Sequence, residues 1–333
     1  MGAPENILLI RFKSIGDILF TLPSVHRLRE HFLRAKITYL VSRENAPLIE
    51  GFREVQAVLA VDRMRLRGRN PVAALREMSS LLRQLRRGHF SIVVDFQGYG
   101  ETAALSWWTK APQRWGAIYN KSGRPGYTHA VRHVKTLHPA YAHLNLLEQC
   151  GVPSGEFRNE FVLPINAADA AREFSTANGF DMNAPALFVQ PFTSSPHKNW
   201  PLERYLATAM HWRERGFQVV FSGGPKDLAA MESARRAGFI DAAGQPLLTA
   251  AGLMKQCSLT LGGDTGLLHL AVAMGKRVVM IMNSAAPGKP VPLQHADWAV
   301  TPPAGAQVPG IETGAVIQAC ERALAEIAAP GRR

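Results

Sequence analysis

The chain has 333 residues, of which 47% are hydrophobic and 19% charged, long enough for two cores of roughly 150 residues each and too apolar for a disordered chain. No apolar run approaches the ~20 residues of a spanning helix, and Met1–Glu5 leads into apolar sequence without the basic flank, hydrophobic segment and cleavage site of a leader, so a cytosolic location is expected. The net charge of +12 is concentrated in residues 1–150, with 22 Lys and Arg against 11 Asp and Glu, a one-sided field suited to nucleic acid, anionic lipid or a phosphorylated glycan.

In chain order, a strand is predicted at Ile7–Ile10, a helix through Val25, Leu28 and Phe32, and a strand at Ile37–Val41. A short run at Val55–Val61 precedes a helix over Val72–Leu85 and a strand at Ile92–Phe96, and after Gly98 the pattern loosens as far as Tyr127. A helix through Ala142–Leu147 closes this half. The second half repeats the plan: strand Leu187–Gln190, helix Leu202–Arg215, strand Gln218–Phe221, helix Leu228–Ala237, strand Leu259–Leu261, helix Leu267–Met274, strand Val278–Met282 and helix Ala315–Ile327. This βαβ rhythm predicts an α/β fold of two Rossmann-like domains with parallel sheets, facing each other across a cleft. The boundaries read as an amino-terminal domain over 1–165, a linker over 166–185 rich in Ala, Asp, Asn and Pro, and a carboxyl-terminal domain over 186–333.

Cys150, Cys257 and Cys320 are odd in number, far apart and free of metal-ligand spacing, which argues for buried thiols and against a disulfide scaffold or structural zinc. Nucleic acid is disfavoured by the absence of a helix-turn-helix or zinc-finger pattern. Arg63, Arg65, Arg67 and Arg69 read as a basic loop beside Gly68, Asn70 and Pro71, able to close over an anion. Other arginines on predicted helices read as solvated.

Four strand-to-helix turns carry the chemistry. In Gly262–His269, small residues let backbone N–H groups and a helix's positive end meet a phosphate, with Thr265 adding a hydroxyl; the plain alternative is a tight turn in which Asp264 caps the helix and His269 packs in the core. In Arg11–Asp17, a carboxylate after the first strand can serve as general base, or equally as an N-cap. Gln190–Pro201 offers hydroxyls and Lys198, a cation able to meet a departing diphosphate, against an ordinary loop with Trp200 packed beneath it. Ser222–Asp227 can meet a ribose or adenine, or simply cap a helix.

Together, Arg-Phe-x-Ser-Ile-Gly-Asp-Ile-Leu-x-Thr-Leu-Pro (11–23), Gln97-Gly98, Lys198-x-Trp-Pro and Gly-Asp-Thr-Gly-x-x-His-Leu-Ala (263–271) resemble glycosyltransferase family 9, over nearly the whole chain. The family's best-known members are ADP-heptose:lipopolysaccharide heptosyltransferases of the GT-B fold, which invert the anomeric centre without a metal. The resemblance implies Asp17 as base and Lys198 as the cation opposing the leaving diphosphate. It implies donor contacts at Ser14, Gly16, Thr193, Ser194, Asp227, Asp264, Thr265, Gly266 and His269. Arg63, Arg65, Arg67, Gln97, Arg114, Lys121 and Arg124 become candidates for the acceptor, an anionic lipid-linked glycan, with peripheral contact at the inner face of the inner membrane. No metal and no cofactor is expected. Leu267 replaces a frequent proline, and residues 283–292 depart from the family's glycine-containing loop, which leaves the donor sugar open.

Three other readings compete. A Rossmann dehydrogenase is opposed by the absence of G-x-G-x-x-G in either half. A protein of the same fold that binds a nucleotide sugar or an anionic glycan without turnover is opposed by Asp17 and Lys198, and a family 9 enzyme using another sugar also fits.

Overall fold

The computed structural model describes residues 6–119 and 121–325, and the side chains of all of these except 121–123. Met1–Glu5, the side chain of Lys121 and Ile327 at the end of the last expected helix lie outside the described residues. Contacts divide the chain into two units, residues 1–162 and 163–333.

In the first unit the elements are β1 (Asn6–Ile10), α1 (Ile15–Leu19), α2 (Leu22–His31), β2 (Lys36–Ser42), β3 (Ala57–Val61) and α3 (Arg63–Arg67). They are followed by α4 (Pro71–Arg87), β4 (Ile92–Asp95), α5 (Gly100–Trp108), β5 (Gln113–Ile118), β6 (His129–Arg132) and α6 (Pro139–Gln149). All strands pair in parallel, in the order β3-β2-β1-β4-β5-β6. Ile7, Leu8, Leu9 and Ile10 are all fully buried, as a strand covered on both faces requires, and this explains an unbroken apolar run in place of alternation.

The second unit contains α7 (Ile165–Ala177), β7 (Ala186–Gln190), α8 (Leu202–Glu214), β8 (Gln218–Phe221), α9 (Glu232–Arg236), β9 (Ile240–Asp241) and α10 (Leu247–Gln256). Then come β10 (Leu259–Gly263), α11 (Gly266–Ala273), β11 (Val278–Ile281), β12 (Ala299–Val300) and α12 (Thr313–Ala325). Its parallel sheet runs β12-β11-β10-β7-β8-β9. In both units the first and fourth strands lie side by side. There the connections depart to opposite sides, which leaves a crevice at the strands' carboxyl ends where open α/β sheets seat ligands.

Four expectations are corrected. Most of the 166–185 linker is helix α7, whose Ala167, Ala171 and Ser175 face is buried, with Ala171 against Gly252 of α10 so closely that a Cβ there would lie 2.5 Å from it. The arginines at 63, 65 and 67 form helix α3, because Asp62 caps it by accepting the Arg65 N–H at 3.0 Å. The stretch after Gly98 is ordered as α5 and β5, with Trp115 buried in the sheet. The helix expected at Leu228–Ala237 shortens to α9.

Candidate active site

The turn after β1 carries Arg11 into the crevice beside β4. Arg11 is buried; one guanidinium nitrogen donates to the carbonyl of Phe96 at 2.7 Å and another pairs with Oδ1 of Asp17 at 2.9 Å. Oδ2 of Asp17 accepts from both the N–H and the hydroxyl of Ser14, each at 3.0 Å. Asp17 is therefore the partner that closes a capping box with the N-cap Ser14 at the start of α1, yet its side chain stays 39% exposed. Burial works against its charge, but Arg11 and the two Ser14 donors outweigh that and hold the carboxyl below its ordinary value. An ionised, reachable carboxylate results.

Phe12 fixes this turn through its backbone. Its N–H donates to Oε1 of Gln97 at 3.2 Å, and its carbonyl accepts from Ser42 Oγ at 2.6 Å and Asn45 Nδ2 at 3.1 Å. Gln97 is buried in that role, and Arg114 spends its guanidinium on the carbonyls of Ala111 and Gly126 at 2.6 and 3.0 Å. Both hold the scaffold, a part the expected acceptor contacts did not include. Arg63 packs over the Phe12 ring, 5.3 Å from its centroid, and pairs with Glu101, while Arg65 pairs with Asp62. Arg124 is exposed.

Sequence reasoning missed the group beneath. Asp95, fully buried, accepts from the N–H groups of Gln97 and Gly98 at 2.8 and 3.1 Å and from the Tyr127 hydroxyl at 2.6 Å. Burial pushes its carboxyl up. His143, also buried, donates from Nδ1 to the Phe20 carbonyl at 3.1 Å; burial and Arg11 lower it to about 3, so the ring is neutral. Tyr119 adjoins Arg11, and burial raises its hydroxyl. These groups follow from no local motif.

In the second unit the turns after β7 and β10 meet across the corresponding crevice. A Cβ on Gly263 would lie 2.5 Å from Cγ2 of Thr193, so glycine is what permits the approach. Thr193 is buried, its N–H donating to Asn199 Oδ1 and its hydroxyl to the Ser195 carbonyl, both at 2.9 Å; Ser194 beside it is exposed. This folding of the loop delivers Lys198 Nζ to within 2.9 Å of Asp264 Oδ2. The other oxygen, Oδ1, meets His269 Nε2 at 3.1 Å. Burial opposes the Asp264 charge, but His269 and Lys198 overcome it and hold the carboxyl at about 2.

The helix cap here is Thr265, whose hydroxyl accepts from Leu268 N–H at 3.4 Å, leaving Asp264 to position Lys198 at the amino end of α11. An ammonium held next to the amino end of α11, where a helix's first N–H groups have no partner within it, is an arrangement able to meet an anion. Trp200 is packed beneath the loop, with its Nε1 donating to the Ile311 carbonyl at 2.9 Å. Asp227 accepts from Gly224 N–H at 2.9 Å and caps its own turn. Among the described residues no group of three or more His, Cys, Asp or Glu is arranged to hold a metal, and no helix is long and apolar enough to cross a membrane.

Comparisons with known proteins bear on the family and the fold. The family model of glycosyltransferase family 9 (heptosyltransferase) matches residues 78–308. The lipopolysaccharide core heptosyltransferase OpsX of Haemophilus influenzae is 21% identical, over 90% of this chain and 85% of that protein. The family 9 glycosyltransferase structure from Veillonella parvula superposes with a TM-score of 0.86 at 23% identity, covering 97% of this chain and 98% of that one. The Escherichia coli heptosyltransferase WaaC with ADP-2-deoxy-2-fluoro heptose gives 0.76 at 20% identity, over 95% and 99%. With a family model spanning more than half of its length, two doubly wound sheets and the GT-B fold of these structures, the chain belongs to glycosyltransferase family 9 and is a glycosyltransferase.

Proposed function

We propose that the protein transfers a heptose from ADP-heptose to the inner core of lipopolysaccharide, inverting the anomeric centre, with protein groups in place of a metal at the diphosphate. The observation that carries the reading is Lys198, held by Asp264 and His269 at the amino end of α11. It supplies the positive charge that a departing nucleoside diphosphate needs. The donor named in the WaaC structure, an ADP-heptose analogue, fits such a seat.

In the displacement, an acceptor hydroxyl oxygen forms a bond to the anomeric carbon as the bond from that carbon to the diphosphate oxygen breaks. The bonding pair leaves on ADP, and the hydroxyl proton passes to Asp17. The Arg11 pair makes Asp17 a weak base at rest, but the acceptor oxygen becomes acidic as it attacks, so a carboxylate that is ionised before the step is suited to the late proton transfer. Residues 1–150, with their excess of Lys and Arg, form the side that takes the anionic acceptor, with Arg65, Arg67 and Arg124 exposed for it. The enzyme then works on a cytosolic donor and a lipid-linked acceptor at the inner face of the inner membrane.

The test is transfer from ADP-heptose to a purified Kdo-terminated acceptor, with ADP release and the anomeric configuration of the product followed by NMR. Retention of configuration, or release of ADP from another ADP-sugar at a higher kcat/KM, would overturn it.

A further inference from the structure

Helices α3, α4 and α5 line a cavity of about 490 Å³ to which the proposed displacement assigns no step, although Arg67 at its rim belongs to the proposed acceptor side. Phe12, Leu66, Leu81, Leu82, Leu105 and Trp108 supply its apolar wall. Its charged lining residues are Arg63, Arg67 and Glu101. Arg63 and Glu101 neutralise one another at 3.3 Å, whereas Arg67 makes no ion pair with a described residue. The cavity thus combines an apolar body with one cation that has no carboxylate partner among the described residues. Its size lies within the range of small-molecule sites.

The surrounding surface has the same dual character. Met64 on α3 is 80% exposed, Leu75 on α4 68% and Trp107 on α5 48%, more apolar surface than a helix face turned only to water carries. The exposed charged side chains of α4, Arg76, Arg83, Arg86 and Arg87, are all arginine. Lys110 lies over the Trp107 ring, 4.0 Å from its centroid. Basic residues interleaved with exposed aliphatic and indole side chains match an anionic headgroup joined to hydrocarbon, and offer nothing to a cationic partner.

We propose that this cavity is an acyl-chain site: it takes one fatty-acyl tail of an anionic lipid whose headgroup meets Arg67. Whether the tail belongs to the lipid-linked acceptor rests on the function proposed above; the site itself does not. The binding test therefore uses neither sugar donor nor acceptor. The full chain is titrated by calorimetry with dodecyl phosphate below its micellar concentration, with inorganic phosphate and with dodecyl maltoside. Dodecyl phosphate should bind at least tenfold more tightly than either of the others.

Ala104 lines the cavity from an exposed position on α5, so Ala104→Trp fills it without disturbing the core. Ala104→Trp and Arg67→Glu should each weaken dodecyl phosphate at least tenfold with the thermal midpoint unchanged. Equal binding of the three probes, or wild-type affinity in Ala104→Trp, overturns the proposal. The owner of the tail is read separately. A tenfold rise in KM of Ala104→Trp for acylated acceptor, but not for its deacylated form, assigns it to the acceptor. Unchanged KM for both, with weakened binding to phosphatidylglycerol vesicles, assigns it to a bilayer lipid.

Discussion

Lys198 Nζ sits 2.9 Å from Oδ2 of Asp264, so the cation proposed to meet the leaving diphosphate is held, before any donor arrives, by a carboxylate that a phosphate must compete with. The pairing positions Lys198 at the head of α11 and at the same time tempers its attraction for anions. Replacing Lys198 with Met should lower kcat/KM for transfer about 10²- to 10³-fold, the scale of losing one donor to developing charge, and weaken ADP. Lys198→Arg should recover part of the loss. An unaltered rate in Lys198→Met would place the diphosphate elsewhere.

Asp17→Asn separates the two parts Asp17 can play. If the carboxylate takes the acceptor proton, kcat should fall about 10²- to 10⁴-fold, while the ADP dissociation constant stays within about threefold. The lost cap at α1 should cost about 1 kcal/mol in stability. Loss of ADP binding together with kcat would make Asp17 a structural cap alone.

The pH dependence of stability should carry the mark of His143. Its folded value is about 3 against an ordinary 6.5, so between those limits the unfolded chain binds the proton and the folded chain does not. Stability is therefore retained above about pH 6.5 and declines as pH falls toward 3. In urea titrations at pH 7 and pH 4, His143→Gln should show a smaller drop between the two than the wild type. An equal drop would assign the acid limb to other groups.

Gly98 has φ +69°, and a Cβ there would lie 2.0 Å from the Ala117 carbonyl oxygen. Gly98→Ala should cost about 1–3 kcal/mol through strain and displacement of β5, lowering the thermal midpoint by several degrees. Gly151, at φ +90° with open space around it, is the control. Its alanine variant should lose less.

The inner strands were legible because burial on both faces leaves an uninterrupted apolar run, as at Ile7–Ile10 and Val278–Ile281, whereas β5, β6, β9 and β12 were not among those expected. The turns that follow them were legible from their small and polar residues. Partners were not. Lys198 and Asp264 are 66 residues apart, and nothing near either marks the other. Gln97 looked free to bind a substrate, because its partner, the N–H of Phe12, comes from 85 residues away. Strand β5 opens with Gln113 and Arg114 and contains Gly116, a sequence of weak strand character that pairing with β4 and β6 makes regular. Helix α7 escaped notice because its buried positions, Ala167, Ala171 and Ser175, are too small to make a strong apolar stripe until Gly252 gives them a surface to rest on.

The Trp200 indole, hydrogen-bonded to the Ile311 carbonyl, ties the loop bearing Lys198 to a segment more than a hundred positions downstream, and Arg204 donates to that same oxygen. The late part of the chain is thus a strut for the loop that carries Lys198, the lysine proposed to meet the diphosphate. A nonsense codon or a proteolytic nick shortly before Ile311 would spare every residue of the nucleotide turn and still leave its loop slack, disabling the enzyme from a distance.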